Sequence, residues 1–447
     1  PFAFAKPVLP PDVSECGAAD LPTGAVPTNC CPPPSTKIID FRPPTPSRLR
    51  VRQAAHAVDR AYIDKYTKAL ELMKALPDDD PRSFKQQAAV HCAYCDGAYD
   101  QVGTDPKVEL QVHNSWLFFP FHRYYLYFYE KILGSLINDP TFALPFWNWD
   151  SPAGMEMPKI FANPNSPLYD KFRNANHQPP NLVDLDYNGT DENVSKETQI
   201  NANLKIMYRQ MVSNAKNPLL FFGNPYRAGD EPDPGGGSIE GTPHGPIHLW
   251  CGDNTHPNFE DMGNFYSAGR DPIFYSHHSN VDRMWTIWKT KLGGKRTDIT
   301  DSDWLNSGFL FYNEKAELVR VKVKDSLQTE TLGYVYQEVD IPWLESKPTP
   351  RRAKLAMSKI AKKLGVARAA ETSSSKIVAS TAFPINLETK ISTVVKRPQQ
   401  KKRNKKQKED EEEILVIEGI EFDRDVAVKF DVYVNDVDDL PSGPTHT

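Results

Sequence analysis

Apolar residues recur at helical spacing from Val51 to Leu76, through Ala54, Ala55, Val58, Tyr62, Tyr66, Leu70 and Met73, which predicts a helix over that range. Pro77 and the run Asp78-Asp79-Asp80-Pro81 end it. Ser83 is placed to cap a second helix that carries His91 near its C-terminal end. Pro120 suits the first turn of a third, running through Tyr124, Tyr127, Phe128, Ile132 and Leu133, with Gly134 near its end. Thr242-Pro243 reads as a cap followed by a first-turn proline, opening a helix with His244 and His248. Pro246 removes one early backbone bond there, which a first turn tolerates. Asp271-Pro272 repeats the signal and opens a helix through Trp288. The four histidine-bearing helices predict a bundle with metal in its middle.

The rest of the chain is patterned differently. Residues 1–47 are rich in Pro and Cys and read as an extended arm held by disulfides. Residues 155–240 read as loops with one helix from Lys196 to Asn214. Short strands are expected at Phe309–Tyr312, Leu318–Val323 and Gly333–Tyr336, and strand-like runs at Lys390–Val395 and Ile414–Val434. The connector from 345 to 375 carries an amphipathic stretch at Arg351–Ala370. The basic block Lys396–Lys408 is followed by the acidic block Glu409–Glu413, so a solvated, protease-accessible loop is expected in place of a nucleic-acid signal. The expected architecture is mainly α. A four-helix bundle with long loops and short strands occupies 1–344, a linker 345–375, and a partial β-rich C-terminal domain 376–447.

Composition narrows the function. Hydrophobic residues make up 39% of the chain and aromatics 11%, enough for a sizeable core. The net charge of −5 gives no reason to expect nucleic acid, and the absence of an apolar run of about 18 residues gives none to expect a membrane span. The start at Pro1-Phe2-Ala3 suggests a processed form. Asn188-Gly189-Thr190 and Asn193-Val194-Ser195 would be glycosylation acceptors only in a secretory route. The cysteines are Cys16, Cys30, Cys31, Cys92, Cys95 and Cys251; adjacent Cys30 and Cys31 can each reach a different partner, which points to an oxidising compartment.

The candidate chemistry lies in two trios of histidine, His91, His113, His122 and His244, His248, His278, drawn from 11 in the chain. His244 and His248 are four apart, so a helix presents both on one face with a rise of about 6 Å. His113 and His122 are nine apart with Pro120 between them, which places His113 on a loop and His122 on the following helix. Trp250, Phe274, Val281, Trp285 and Trp288 are expected to keep the second site dry. His277 and His278 are adjacent, and spacing leaves open which of them faces the metal. His56, His177, His256 and His446 read as ordinary packed or surface histidines. All-imidazole sites with little carboxylate favour copper over magnesium, calcium or di-iron.

The segments His91-Cys92-Ala93-Tyr94-Cys95, His113-Asn114-Ser115-Trp116, Phe119-Pro120-Phe121-His122-Arg123-Tyr124, His244-Gly245-Pro246-Ile247-His248 and His277-His278-Ser279-Asn280-Val281-Asp282-Arg283-Met284-Trp285 carry a specific resemblance. So do Asp303-Trp304-Leu305 and Lys429-Phe430-Asp431-Val432. The chain resembles plant polyphenol oxidases, the catechol oxidase and tyrosinase group with a type-3 dicopper site, most nearly those of apple and stone fruit. The resemblance implies two copper ions, held by His91, His113 and His122 and by His244, His248 and His278, and selects His278 over His277. It also implies a thioether between Cys95 and His113, disulfides Cys16–Cys31 and Cys30–Cys92, and a free Cys251.

The activity so implied is oxidation of o-diphenols to o-quinones by dioxygen, in the chloroplast thylakoid lumen, by a monomer whose partners are small phenols. Phe265 resembles the aromatic gate over the second copper site, Glu240 the acidic residue that holds a water near His244, and Gly245 and Leu249 the entrance lining. Hydroxylating members often carry Asn where this chain has Gly245, so strong diphenol oxidation with weak or variable monophenol hydroxylation is expected. Only 15 residues follow Lys429-Phe430-Asp431-Val432, so the shielding domain is expected to be incomplete. The rival functions are a dioxygen carrier of the haemocyanin kind and a structural zinc protein; open three-ligand sites disfavour the latter.

Overall fold

The computed structural model describes residues 6–45 and 48–348, together with 376–377, 382–386, 391–395 and 417. Chain packing separates two compact units, Pro1–Pro348 and Thr349–Thr447. The first is mainly helical. It opens with strands β1 (Ile38–Asp40) and β2 (Arg50–Arg52), then helices α1 (Arg60–Lys74), α2 (Phe84–Cys95) and α3 (Phe118–Leu136). A long loop region holds α4 (Lys196–Tyr208) and α5 (Pro218–Phe222). Next come α6 (Gly245–Cys251), α7 (Phe265–Ala268), α8 (Ile273–Lys291) and α9 (Ser302–Asn306), and then β3 (Gly308–Tyr312), β4 (Leu318–Lys322) and β5 (Tyr334–Tyr336).

The axis of the unit is the pair α3 and α8. Helix α3 begins at Leu117 without a side-chain cap, and its aromatic residues are mediocre helix formers. Burial holds it instead: Phe118, Phe121, Tyr124, Tyr125, Leu126, Tyr129, Ile132 and Leu133 are all inaccessible. A helix apolar all round belongs inside a core. Tyr129 stacks on Tyr275 of α8 with ring centres 3.5 Å apart. The start of α8 is fastened by Asp271, whose Oδ1 accepts from the Ile273 N–H at 2.9 Å.

Charges are buried in this core as well. Glu130 accepts from Arg50 Nε and Arg52 Nε, both at 2.8 Å, and from the Leu144 N–H at 2.9 Å. Asp282 accepts from Arg123 Nε at 2.5 Å, Tyr334 Oη at 2.6 Å and Tyr336 Oη at 2.5 Å. The Arg52 guanidinium lies 3.8 Å from the Tyr334 ring and that of Arg123 lies 3.6 Å from Trp285. Such sets weigh little as gross stabilisation, yet removing one partner strands the others.

Two small sheets close the periphery. The strand order β1-β4-β3 joins the N-terminal arm in parallel to the antiparallel pair β3–β4, with Ile38 opposite Leu318. Strand β2 runs parallel to β5, Val51 opposite Val335. This corrects the helix expected from Val51. Residues 50–52 are taken by a distant strand, and α1 starts only at Arg60, where Asp59 accepts from the Tyr62 N–H at 2.8 Å. The helix expected to reach Asn214 is regular only to Tyr208, then widens into a π turn, Arg209–Ser213. Helices α2 and α8 lie as expected, and Ser83 does cap α2.

Disulfides join Cys16 to Cys31 and Cys30 to Cys92, tying the arm to α2 beside His91. Cys95 and Cys251 are free and buried. In the second unit, β6 (Lys376–Ile377) pairs in parallel with β7 (Ile391–Ser392). The stretch Arg351–Ala370, the basic and acidic blocks, nearly all of Ile414–Val434 and His446 lie outside the described residues. No described helix is long and apolar enough to cross a membrane.

Candidate metal centre

Helix α2 delivers His91, the loop before α3 delivers His113, and the first turns of α3 deliver His122. All three are buried. Their ring centres lie 5.1 Å (His91–His113), 5.6 Å (His91–His122) and 5.1 Å (His113–His122) apart. His244 ends an irregular turn, Glu240–His244, that runs into α6; His248 lies on α6 and His278 on α8. Their ring centres are 4.7 Å (His244–His248), 5.0 Å (His244–His278) and 5.3 Å (His248–His278) apart. The two trios face each other. His122 stacks on His278 at 4.2 Å and 14°, and His113 lies 6.0 Å from His244.

The turn before α6 departs from expectation. Thr242 is extended, with φ −147° and ψ 124°, its bond to Pro243 is cis, and no side chain caps the helix. The first-turn proline of α6 is therefore Pro246. A packed kink places His244, where the sequence pointed to a capped start.

Ring nitrogens divide into two kinds. The Nδ1 atoms of four histidines pair with backbone carbonyls: His91 with Phe265 at 2.8 Å, His122 with Phe118 at 2.8 Å, His244 with Glu240 at 3.0 Å and His248 with Met262 at 2.7 Å. These bonds set the tautomer and leave Nε2 facing inward with its lone pair. The Nε2 atoms of His91, His122 and His244 are buried without a hydrogen-bond partner, as are both ring nitrogens of His113. His248 Nε2 and His278 Nε2 stand 3.1 Å apart. Buried polar atoms are normally satisfied; this convergence of orphaned imidazole nitrogens is what a pair of imidazole-bound ions would complete, and the residues fit two coppers.

Burial also keeps the rings neutral, as a ligand must be. It pushes His91 down to about 3 and His248 to about 4, and holds His113, His122, His244 and His278 well below the usual histidine range.

The dry shell differs in part from expectation. Phe274 packs on His278 at 4.3 Å, His91 at 5.0 Å and His248 at 5.8 Å. Trp250 instead stacks on His177, while Trp285 packs on Phe222 and Trp288 on Phe221. None of the three has a ring contact with the six histidines among the described residues; Trp285 shares the face of His278 but lies two turns further along α8. Phe118, which sequence reasoning missed, fills the gap at 4.7 Å from both His122 and His244 and 5.5 Å from His113. Its position one turn before His122 was the available signal. Gln111 was missed too: its Oε1 accepts the His113 N–H at 2.9 Å and its Nε2 donates to the Cys95 carbonyl at 2.9 Å, so it ties the ligand loop to α2.

Ligand-capable atoms of His91, Cys95 and His113 lie within 4.8 Å of one another, as do those of His244, His248, His277 and His278. His277 stacks on His244 at 5.4 Å and lies 6.0 Å from Trp149, whereas His278 stacks on His122 of the first trio. Two of the remaining histidines are engaged elsewhere. His177 pairs with the Trp250 carbonyl and with Asp191, and His256 with Asp253.

At the mouth, Phe265 is 39% exposed and stacks on His113 at 4.5 Å and 21°, with His91 at 5.9 Å, so it lies against the first trio and not over the second site as expected, because α7 packs on α2. Gly245 and Leu249 are half-buried. Glu240 is buried; its Oε1 accepts the Asn114 N–H at 2.5 Å and its Oε2 has no partner. Burial drives its carboxyl well above the usual range. Gly236 lets this side chain approach, since a Cβ there would stand 2.7 Å from Oε2.

Comparison with known proteins yields three family matches: the common central domain of tyrosinase over residues 81–291, the polyphenol oxidase middle domain over 298–349, and the chloroplastic polyphenol oxidase C-terminal domain over 383–447. A chloroplastic polyphenol oxidase of Malus domestica is 83% identical over 447 residues, covering 100% of this chain and 75% of that protein. The structure of latent apple tyrosinase matches with a TM-score of 0.86 and 81% identity, over 92% of this chain and 86% of that one. A polyphenol oxidase from Grenache, Vitis vinifera, matches with a TM-score of 0.74 and 60% identity, over 76% and 99%.

Proposed function

Because the chain belongs to the plant polyphenol oxidase family and is a copper oxidoreductase of phenols, we propose that it oxidises o-diphenols to o-quinones with dioxygen. Two facing trios with orphaned, neutral imidazole nitrogens carry this reading. His91, His113 and His122 would hold one copper, and His244, His248 and His278 the other. When bound, the copper pair supplies two-electron redox chemistry and activates dioxygen. The chain does the rest. Backbone carbonyls aim the rings, Phe118 and Phe274 exclude water, and Phe265 offers the substrate a stacking face. A thioether between Cys95 and His113 would add a second restraint to the one Gln111 already imposes.

Glu240, whose Oε2 is unpaired, would hold a water beside His244 and accept the phenol proton; a copper ion held by His244 would favour its ionised form against the burial that raises it. Gly245 leaves that water without an amide partner, which favours diphenol oxidation over monophenol hydroxylation. An aromatic ring exposed at the mouth and half-buried Gly245 and Leu249 give a phenol access, which favours an oxidase over a dioxygen carrier. Relatives described as chloroplastic support a chloroplast address, and we place the enzyme in the thylakoid lumen, where disulfides persist. We further propose a catalytic domain over 1–344, a linker over 345–375 and a partial shielding domain over 376–447. Copper-loaded protein consuming dioxygen with 4-methylcatechol supports the oxidase; reversible dioxygen binding without turnover sinks it.

A further inference from the structure

The rim of the site carries a charge that the oxidation chemistry does not use. Asn114 follows His113 directly, is exposed, and has φ 51°. Its backbone N–H donates to Glu240, and its side-chain amide donates to Asp233 Oδ1 at 3.3 Å. Asp233 is exposed, also with a left-handed backbone at φ 61°. One residue therefore links the ligand loop, the buried Glu240 and an exposed carboxylate. Asp233 is thereby one hydrogen bond from the residue that follows His113, and Gly236, three positions after it, packs against Glu240 Oε2 and Asn114 Oδ1, so this loop lies against the site.

Arg227, the cation nearest along this loop, is occupied: its Nη2 meets Asp301 at 2.7 Å, its Nε meets Asp303 at 3.0 Å, and its guanidinium lies 4.7 Å from the Trp116 ring. Glu231, two residues before Asp233, is exposed and acidic too.

We infer that Asp233, presented by Asn114, selects phenols bearing a cationic side chain, such as a protonated amine on a short alkyl tail, over phenols bearing a carboxylate. This rests on the phenol-oxidase reading. A phenol enters with its oxygen towards the histidines, so its ring substituent trails at the rim, where an ammonium meets the carboxylate and an anion is repelled. Exposed pairs are weak, so each effect is about two- to threefold and the contrast between cation and anion about fivefold. At about 1 M salt the screening length shrinks to about 3 Å and the preference fades.

Asp233→Asn isolates the charge. Asn tolerates a left-handed backbone and keeps an oxygen acceptor for the Asn114 amide. Using the copper-loaded full chain, kcat/KM is measured for dopamine, 3-(3,4-dihydroxyphenyl)propionate and uncharged 4-methylcatechol, at low and 1 M salt. Inhibition constants of 2-phenylethylamine and 3-phenylpropionate, which cannot be oxidised, report binding alone. The expected result is that the dopamine-to-propionate ratio falls about fivefold in the variant, in KM more than kcat. The two inhibitors shift in opposite directions, and salt reproduces the change in the parent. A ratio constant within twofold, with 4-methylcatechol still oxidised, overturns the inference alone. A parent chain that does not oxidise 4-methylcatechol overturns the oxidase reading and this inference with it.

Discussion

Asp282 is the most consequential residue outside the ligand set. It lies one turn after His278 on α8, and Arg123, which it holds at 2.5 Å, directly follows His122 on α3. The pair thus sets the spacing of the two helices whose histidines stack at 4.2 Å. Asp282→Asn keeps the shape and removes the charge. Arg123 and Arg52, exposed by 1% and 0%, then lose their shared counter-charge, and Tyr334 and Tyr336 donate to a weaker acceptor. Breaking a buried pair costs about 3–5 kcal/mol. For a unit of this size, that is roughly 5–10 °C in Tm.

The sign of the pH dependence follows from the same site. The arginines hold the Asp282 carboxyl below its ordinary value near 3.8 against the cost of burial. Its contribution is therefore fully present above pH 3.8 and lost as pH falls through the lower folded value. The deficit of the variant should be constant from pH 7 to 5 and shrink below about pH 4. Thermal unfolding of Asp282→Asn, Arg123→Gln and the double variant, with copper content measured in parallel, checks this. Non-additivity of more than about 1 kcal/mol is expected for residues in contact. A single variant within 2 °C of the parent, or strict additivity, refutes the argument (roughly the scatter expected of surface substitutions).

Three further outcomes follow. Gly245→Asn should fold normally, since a Cβ there meets nothing closer than the Glu240 carbonyl at 4.0 Å, and should raise tyramine hydroxylation relative to catechol oxidation; an unchanged ratio counts against the role given to Gly245. Phe265→Ala removes the stacking face over His113, and KM for 4-methylcatechol should rise about two- to tenfold, the equivalent of about 0.5–1.5 kcal/mol, while the backbone bond to His91 persists. In metal-free protein, unfolded histidines take protons below about 6.5, whereas folded His248 and His91 resist to about 4 and about 3, so Tm should fall as pH drops from 6.5 to 4, more gently in His91→Gln; a flat profile would show that the rings are not buried neutral.

Local chemistry was legible in residues close along the chain. The Ser83 cap, the loop position of His113, the first-turn Pro120 and the strands β3 to β5 all depend on neighbours within a few residues, and the structure has them. The four-residue spacing of His244 and His248 put both rings on one side of the site. What misled was contact at long range. Residues 50–52 carry a helix-compatible pattern but pair with β5, some 280 positions later, and the tryptophans expected at the metal pack on His177, Phe222 and Phe221 instead.

By itself, then, the sequence determined the six imidazoles, the helices that bear most of them, and the preference of such donors for copper, because ligand type and helical period are local properties. Only the tertiary structure decided that the trios face each other, that carbonyls from Phe265, Phe118, Glu240 and Met262 turn four of the six rings, and that Phe118 and Gln111 complete the pocket. It also placed Arg123 against Asp282 and Asn114 against Asp233 and Glu240. The contacts of His91 with Phe265, Arg123 with Asp282 and Asn114 with Asp233 and Glu240 join segments more than a hundred residues apart, where burial and the pairing of buried polar groups decide and no local pattern encodes the outcome; those of His122 with Phe118 and His244 with Glu240 span four residues, yet which ring nitrogen they engage depends on the packing around them.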